Sequence, residues 1–288
     1  MTQRLSLFAL FATTLILTGL ARAATDDGTP AAPKAATPGK AVGQMITLSD
    51  FGAEDLAYLA IPMSPPTLGI VLVPDAYGLD DFTKAEADRL ANLGYLVVAV
   101  DIYNGRKTTD PGDLANLIAN LNAGTVMKTV DSGIKLFHES PKFHVGHVVA
   151  MGWGTGATYV FQADRENKGL DGAITFYGPF GTREHLLGKF VGPLCAVYSD
   201  RDPSVPRASV LEFQQQMKAE GNDCSAWFVG AGSGWSNPQS KNYNPAEDKE
   251  AWKVALPFLV RIDALPVKAE KGPSILDKAK DKIQSFFQ

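Results

Sequence analysis

A chain of 288 residues, 45% hydrophobic and 20% charged, has the composition of an ordinary soluble domain with a sizeable core. Twenty-seven basic against 31 acidic residues give a formal net charge of −4. That balance leaves no electrostatic footprint for nucleic acid or for an anionic membrane surface.

The N-terminus reads as an export signal. Arg4 supplies a positive start, Leu5 to Leu20 an apolar stretch, and Ala21-Arg22-Ala23 a small-x-small cleavage site. Residues 1–23 are therefore expected to be a signal peptide, and the mature protein to be periplasmic or secreted. The rival reading is an uncleaved anchor, but the apolar stretch is shorter than the ~20 residues of a spanning helix. No stable membrane insertion is expected after cleavage, and no Cys follows the stretch to carry a lipid. Residues 24–43 are mostly Ala, Pro, Thr, Gly and Lys, which cannot bury a core, and are expected to form a disordered linker.

Regular structure is expected from residue 44 to 262. Met45–Leu48 and Leu56–Ile61 read as strands, a possible hairpin. Leu68–Val73 is a continuous apolar run of the kind found in a buried parallel strand. Asp81–Leu93 has helical spacing and stops before Gly94. Tyr95–Val100 is the next strand. Helices follow at Leu114–Leu121 and Val126–Phe137, with Gly124 expected to separate them. His144–Met151 reads as a strand and Ala157–Arg165 as a helix. Strands Ala173–Tyr177 and Leu194–Tyr198, helix Ala208–Ala219, strand Ser225–Val229 and helix Glu247–Ile262 complete the body. Residues 263–288 form an expected amphipathic tail helix with Ile275, Leu276, Ala279, Ile283, Phe286 and Phe287 on one face. The alternation of strand and helix predicts an α/β fold: a doubly wound, mostly parallel sheet with helices on both faces. Ligands on such sheets bind outside the carboxyl ends of the strands, which directs attention to the loops after Val73, Val100, Met151, Tyr198 and Val229.

Gly152-Trp153-Gly154-Thr155-Gly156 lies between a strand-like and a helix-like run. A Gly-x-Ser-x-Gly elbow in that context presents its central side chain above the sheet on a strained turn. Here the central residue is Gly154, which has none. Four stretches, in order, resemble the dienelactone hydrolase family of α/β-hydrolases over roughly Met45 to Ile262. Val73-Pro74-Asp75-Ala76-Tyr77-Gly78 looks like the family's Glu-x-Phe-Gly turn, with Asp75 where Glu is usual. Asp101-Ile102-Tyr103-Asn104-Gly105-Arg106 resembles Asp-Leu-Tyr-Gly-Gly-Lys. The elbow aligns with Gly-Tyr-Cys-x-Gly. Asp202-Pro203-Ser204-Val205-Pro206 resembles the Asp-x-x-Val-Pro stretch that holds the triad acid. The resemblance implies an α/β-hydrolase fold, with two departures. Gly154 stands at the nucleophile position. Ser233, within Gly230-Ala231-Gly232-Ser233-Gly234-Trp235, stands where the family has His. Only Asp202 survives of the triad, and an acid with no base to orient cannot assemble triad chemistry.

The leading expectation is thus a catalytically degenerate member that keeps a pocket for a small organic ester, lactone or carboxylate, or for a protein partner. The backbone N–H groups of Thr155 and Ala76 would address an oxyanion, with Asp75, Arg106, Trp153 and Trp235 around it. A rearranged, active hydrolase using Thr155 or Ser233 is the first alternative. An exported scaffolding protein making contacts through the Lys-rich flanks 34–40 and 268–282 is the second. Plainer roles compete for the same residues. Asp202 is equally a turn cap, Asp75 a solvated loop acid, Arg106 a surface charge, and Trp153 and Trp235 packing residues. Asp101 is read as structural. Gly152-x-Gly154-x-x-Ala157 also fits a dinucleotide fingerprint, but no acid ends the following strand. No cofactor is expected, and no metal: His144 and His147, three apart on a strand, would point to opposite faces. Cys195 and Cys224 lie at or near the starts of two strand-like runs, and could bridge if those strands were neighbours in an oxidising compartment.

Overall fold

The computed structural model describes residues 41–166, 169–179 and 190–267. The expected signal peptide and the amphipathic stretch from Ile275 lie outside these residues. In chain order the elements are β1 (Gln44–Thr47), β2 (Leu56–Ala60), β3 (Leu68–Val73), α1 (Asp81–Asn92), β4 (Leu96–Val100), α2 (Pro111–Ala119) and α3 (Ala123–Glu139). Then come β5 (His147–Trp153), α4 (Thr155–Arg165), β6 (Gly172–Phe176), β7 (Leu194–Ser199), α5 (Arg207–Ala219), β8 (Cys224–Val229) and α6 (Pro245–Asp263).

The strands make one sheet in the order β1-β2-β4-β3-β5-β6-β7-β8. β1, β2 and β4 pair antiparallel, and β4 to β8 pair parallel. β3 and β4 are buried along their whole length, as continuous apolar runs require. Side chains alternate between the two faces. From β3, Val71 and Val73 join Val130 and Ile134 of α3, Val160 of α4 and Phe213 of α5 in one cluster. Leu68, Ile70 and Leu72 join Leu90 of α1 and Trp252 and Leu259 of α6 in the other. The doubly wound architecture expected from the alternation is therefore the observed one. No described helix is long and apolar enough to cross a membrane.

Several boundaries differ from expectation for local reasons. α2 begins at Pro111, because Asp110 accepts from Gly112 N–H and Asp113 N–H and proline is tolerated in a first turn. Gly124 does not separate two helices. Asn122 accepts from Thr125 N–H at 3.0 Å and caps α3, so Gly124 lies in its first turn. β5 starts at His147, leaving His144 outside it, and continues to Trp153, which pairs with Phe176 of β6. Of the expected linker, residues 24–40 lie outside the described residues, and its end is tied to the body: Ala41 is buried and its N–H donates to Asn92 Oδ1 at 2.9 Å, while Gly43 N–H donates to Asp88 Oδ1 at 2.8 Å.

The cysteines do sit on neighbouring strands, but out of register. Leu194 pairs with Cys224 and Cys195 with Ser225. Cys195 consequently faces α6 and Cys224 faces the α3–α5 side. They are two separate buried thiols, with no disulfide between them, and burial pushes each up to about 12.

Candidate active site at the turn after β5

A single residue joins β5 to α4. Gly154 has φ 50° and ψ −116°, a conformation open to glycine and strained for any L side chain. Its N–H donates to Phe176 O at 2.9 Å, which fixes the turn to the end of β6. The surrounding glycines have a different cause. A β-carbon on Gly156 would lie 2.3 Å from Val73 O and Pro74 O. On Gly152 it would lie 2.8 Å from the Gly156 backbone, and on Gly178 2.2 Å from Ala157 Cβ. These three let β3, the start of α4 and the end of β6 close up. At Gly154 the nearest atoms are Asp75 Cβ at 3.4 Å and the Tyr177 ring at 3.6 and 3.8 Å. That is ordinary contact distance, so a side chain would fit there and would stand beside Asp75 and Tyr177.

Asp75 is not a solvated loop acid. It is 5% exposed, at the end of β3, and held on both oxygens. Oδ1 accepts Tyr77 N–H at 3.0 Å and Oδ2 accepts the Asn237 amide at 3.1 Å. The same Asn237 amide donates to Asp80 Oδ2 at 3.0 Å, while Asp80 Oδ1 caps α1 through Thr83 N–H at 2.8 Å. Two buried carboxylates thus share one amide. Burial pushes Asp75 up to about 7, and the Asp80 charge adds to this. The Tyr77 N–H, the Asn237 amide and Tyr177 pull the other way.

Tyr177 closes the group. Its φ of 38° is an outlier for a bulky residue. The strain is held by Tyr177 N–H on Val197 O at 2.9 Å and by an edge contact with the Trp235 ring at 4.5 Å. The Ser233 hydroxyl donates to Tyr177 O at 3.3 Å. The Tyr177 hydroxyl is buried near Asp75 and Ser236, yet in hydrogen-bonding geometry with neither, and the Tyr103 hydroxyl near Asp75 also lacks a partner among the described residues.

The structure therefore gathers Gly154, Thr155, Asp75 and Ser233, together with Trp235 behind Tyr177. The N–H groups of Thr155 and Ala76 have no partner among the described residues, and both residues are partly exposed. Other expected residues lie elsewhere. Trp153 is fully buried, stacked on Phe176 at 5.2 Å, and packs in the core on the α1–α6 face. Trp235 is also fully buried. Arg106 is exposed, its Nε bonded to Tyr103 O at 3.3 Å, and it borders a shallow groove of about 450 Å³ against α2. Asp101 holds its own loop, accepting Tyr103 N–H at 2.9 Å and Gly105 N–H at 2.6 Å. Asp202 Oδ1 accepts Ser204 N–H at 2.9 Å and the Ser204 hydroxyl. His138, His144 and His147 are at the opposite end of the sheet: His144 Nδ1 lies 3.2 Å from His138 O and His147 Nε2 2.9 Å from Leu265 O. No group of three or more metal-ligating side chains occurs among the described residues. Sequence reasoning missed Asp80, Asn237 and Tyr177. Only Asp80 carried a local signal, as an N-cap before a helical run.

A mostly parallel eight-stranded sheet of this order, with a strained strand-to-helix turn above it, defines an α/β-hydrolase fold. The model of the dienelactone hydrolase family matches residues 56–262, and the chain belongs to that family. It is similar to the "putative carboxymethylenebutenolidase" of Saccharolobus solfataricus, 23% identical over 73% of this chain and 95% of that one. A protein of the same description from Salmonella typhi is 27% identical over 78% of this chain and 90% of its own. Among solved structures, a dienelactone hydrolase-like promiscuous phosphotriesterase from metagenomic libraries superimposes with a TM-score of 0.69 at 18% identity. That match covers 78% of this chain and 99% of the other. The apo form of Thermogutta terrifontis esterase 2 gives 0.61 at 15% identity, covering 80% and 98%.

Proposed function

We propose that this protein is an exported member of the dienelactone hydrolase family that has lost the covalent triad step and keeps an elbow pocket for small esters, lactones or carboxylates. One observation carries the reading. The turn at Gly154 retains the strained backbone of a nucleophile elbow and space for a side chain, but has no side chain there. Ser233 fills the His position and donates to a backbone carbonyl; a hydroxyl is no replacement for an imidazole base. The ligand class follows from the Thr155 and Ala76 N–H groups, which have no partner among the described residues and suit a carbonyl or carboxylate oxygen, and from the lactone and ester chemistry in the names of the relatives. Export rests on the N-terminal signal pattern.

The test uses the purified mature protein. Incubation with a fluorophosphonate and intact-mass analysis should show no adduct. Ester, lactone and carboxylate ligands at about 100 times their dissociation constants should stabilise the fold by about 2.7 kcal/mol, seen as a rise in Tm. An adduct on Thr155 or Ser233 would replace this reading with a rearranged nucleophilic hydrolase. Export is checked separately, by finding the cleaved chain outside the cytoplasm of an expressing cell.

A further inference from the structure

We propose that Asp75 is a general base for direct attack of water on a carbonyl carbon at the elbow, so that the chain hydrolyses small esters or lactones with no covalent enzyme intermediate. The proposal rests on the reading that the elbow binds such ligands, and goes beyond it by assigning a reaction.

Three features place the reaction there. The space a residue-154 side chain would use is bordered by Asp75 Cβ at 3.4 Å and by the Tyr177 ring at 3.6 Å. A water molecule in that space would stand where a nucleophile does, against the methylene of Asp75, whose carboxylate begins one bond further on. That carboxylate is positioned and not saturated. Tyr77 N–H takes one lone pair of Oδ1 and the Asn237 amide one of Oδ2, leaving each oxygen a further acceptor site. The Thr155 N–H, at the start of α4, and the Ala76 N–H, on the loop after β3, directly follow Gly154 and Asp75 and suit the oxygen on which charge develops. The Tyr177 hydroxyl, on a residue 4% exposed and without a partner among the described residues, is a donor for the same water or carboxylate.

The groups facing Asp75 are Asp80 at the cap of α1, Tyr77 on its own loop, Tyr103 from the loop after β4 and Tyr177 from the loop after β6. No cation among the described residues bonds to it. Burial in this company pushes Asp75 up to about 7, where a base is both available and strong enough to be useful.

The step balances without a co-reactant. The Asp75 carboxylate takes a proton from water as the water oxygen bonds to the carbonyl carbon, and the carbonyl electron pair moves onto its oxygen. Collapse breaks the bond from that carbon to the alkoxy oxygen, which receives the proton from Asp75. An ester gives an acid and an alcohol, a lactone gives a hydroxy acid, and Asp75 returns as the carboxylate.

The experiment measures steady-state hydrolysis of p-nitrophenyl butyrate and dihydrocoumarin between pH 5 and 9, with Tm followed alongside. Expected are turnover that rises with pH to a plateau above about 7, and a kcat at least about 100-fold lower in Asp75→Asn. Gly154→Ala places a methyl group in the water's space while leaving Asp75 in place, and should lower kcat comparably. It guards against any disturbance of the Asn237 bonding in the first variant. Three results overturn the proposal: kcat unchanged in a folded Asp75→Asn or Gly154→Ala protein, an acyl adduct on the chain in acid-quenched reactions, or no turnover despite a ligand-induced rise in Tm. The last outcome leaves the pocket reading standing and removes this one. No turnover together with no rise in Tm removes both.

Discussion

On the reading proposed above, the turn after β5 and the loop after β7 would hold opposite halves of one catalytic motif. At the turn the backbone is kept and the side chain is missing: Gly154 holds its strained dihedrals, and glycines at 152, 156 and 178 let three elements close around it. In the loop after β7, Asp202 is half-exposed and its carboxylate accepts from Ser204 two residues on. It makes no bond to Ser233 among the described residues. The elbow's shape is enforced by packing, so it stands with a glycine at its centre. A carboxylate half in water has no such constraint and satisfies itself locally. The acid with unusual surroundings is therefore Asp75, which sits on the packed side of this comparison.

The largest effect should come from that acid. Unfolded, Asp75 titrates near the ordinary 3.8, and folded it is pushed up to about 7 by burial. Between those values the folded chain holds a proton that the unfolded chain has released, so stability falls as pH rises, with a ceiling of roughly 4 kcal/mol from this residue. Asp164 is pushed to about 7 for the same reason and adds the same trend to the parent protein. It cancels when variant and parent are compared. The Tm of Asp75→Asn relative to the parent should therefore climb between pH 4 and pH 8. A difference that stays constant with pH would mean that burial leaves no mark on the ionisation of Asp75, and would overturn this account of it.

The next effect separates the two kinds of glycine at the turn. Gly156→Ala drives a methyl group into two backbone carbonyls at 2.3 Å. Backbone does not step aside as a flexible side chain does, so a loss of about 3 kcal/mol is expected, at the upper end of overpacking costs. Gly154→Ala meets only ordinary contacts and bears the strain of its dihedrals, about 1–2 kcal/mol. Thermal melts at neutral pH should rank the parent above Gly154→Ala, and Gly154→Ala above Gly156→Ala, at roughly 2–4 °C per kcal/mol. The reverse order would show that strain, and not close packing, governs the elbow.

How much of this was legible in sequence depends on whether a feature is local. Apolar runs at Leu68–Val73 and Tyr95–Val100 and the alternating helices were enough for the doubly wound fold, because burial of both sheet faces writes itself into each strand. Gly154, Thr155, Ala76 and Asp75 were found through short motifs. Their surroundings were not, because Asp75 meets Asn237 across 162 residues and Tyr177 approaches from a third loop. Nothing local in Val-Pro-Asp-Ala-Tyr announces a carboxylate 5% exposed. The cysteines show the same limit at finer scale. Neighbouring strands were the condition set for a bridge and it is met, but a one-residue offset in register decides which face a side chain takes. Trp153 follows the same period-2 rule: two residues beyond Met151, it shares that residue's face and is committed to the core.

The smallest effect tests the other side of the comparison. Asp202→Ala removes two bonds to Ser204 at a half-exposed site where water can replace them. A loss of about 1 kcal/mol is expected, a Tm lower by a few degrees. Its magnitude matters less than its independence. If Asp202 serves only its own turn, the double variant Asp202→Ala/Ser233→Ala should show the sum of the single losses to within about 0.5 kcal/mol, as unlinked sites do. The two loops are nonetheless tied close together, since Ser199 at the end of β7 bonds to Ala231 O beside β8. Additivity across so short a tie would be a demanding result. A coupling above about 1 kcal/mol would instead mean that Asp202 and Ser233 act as a unit. That would restore the acid to the elbow and make the loop after β7 part of the site.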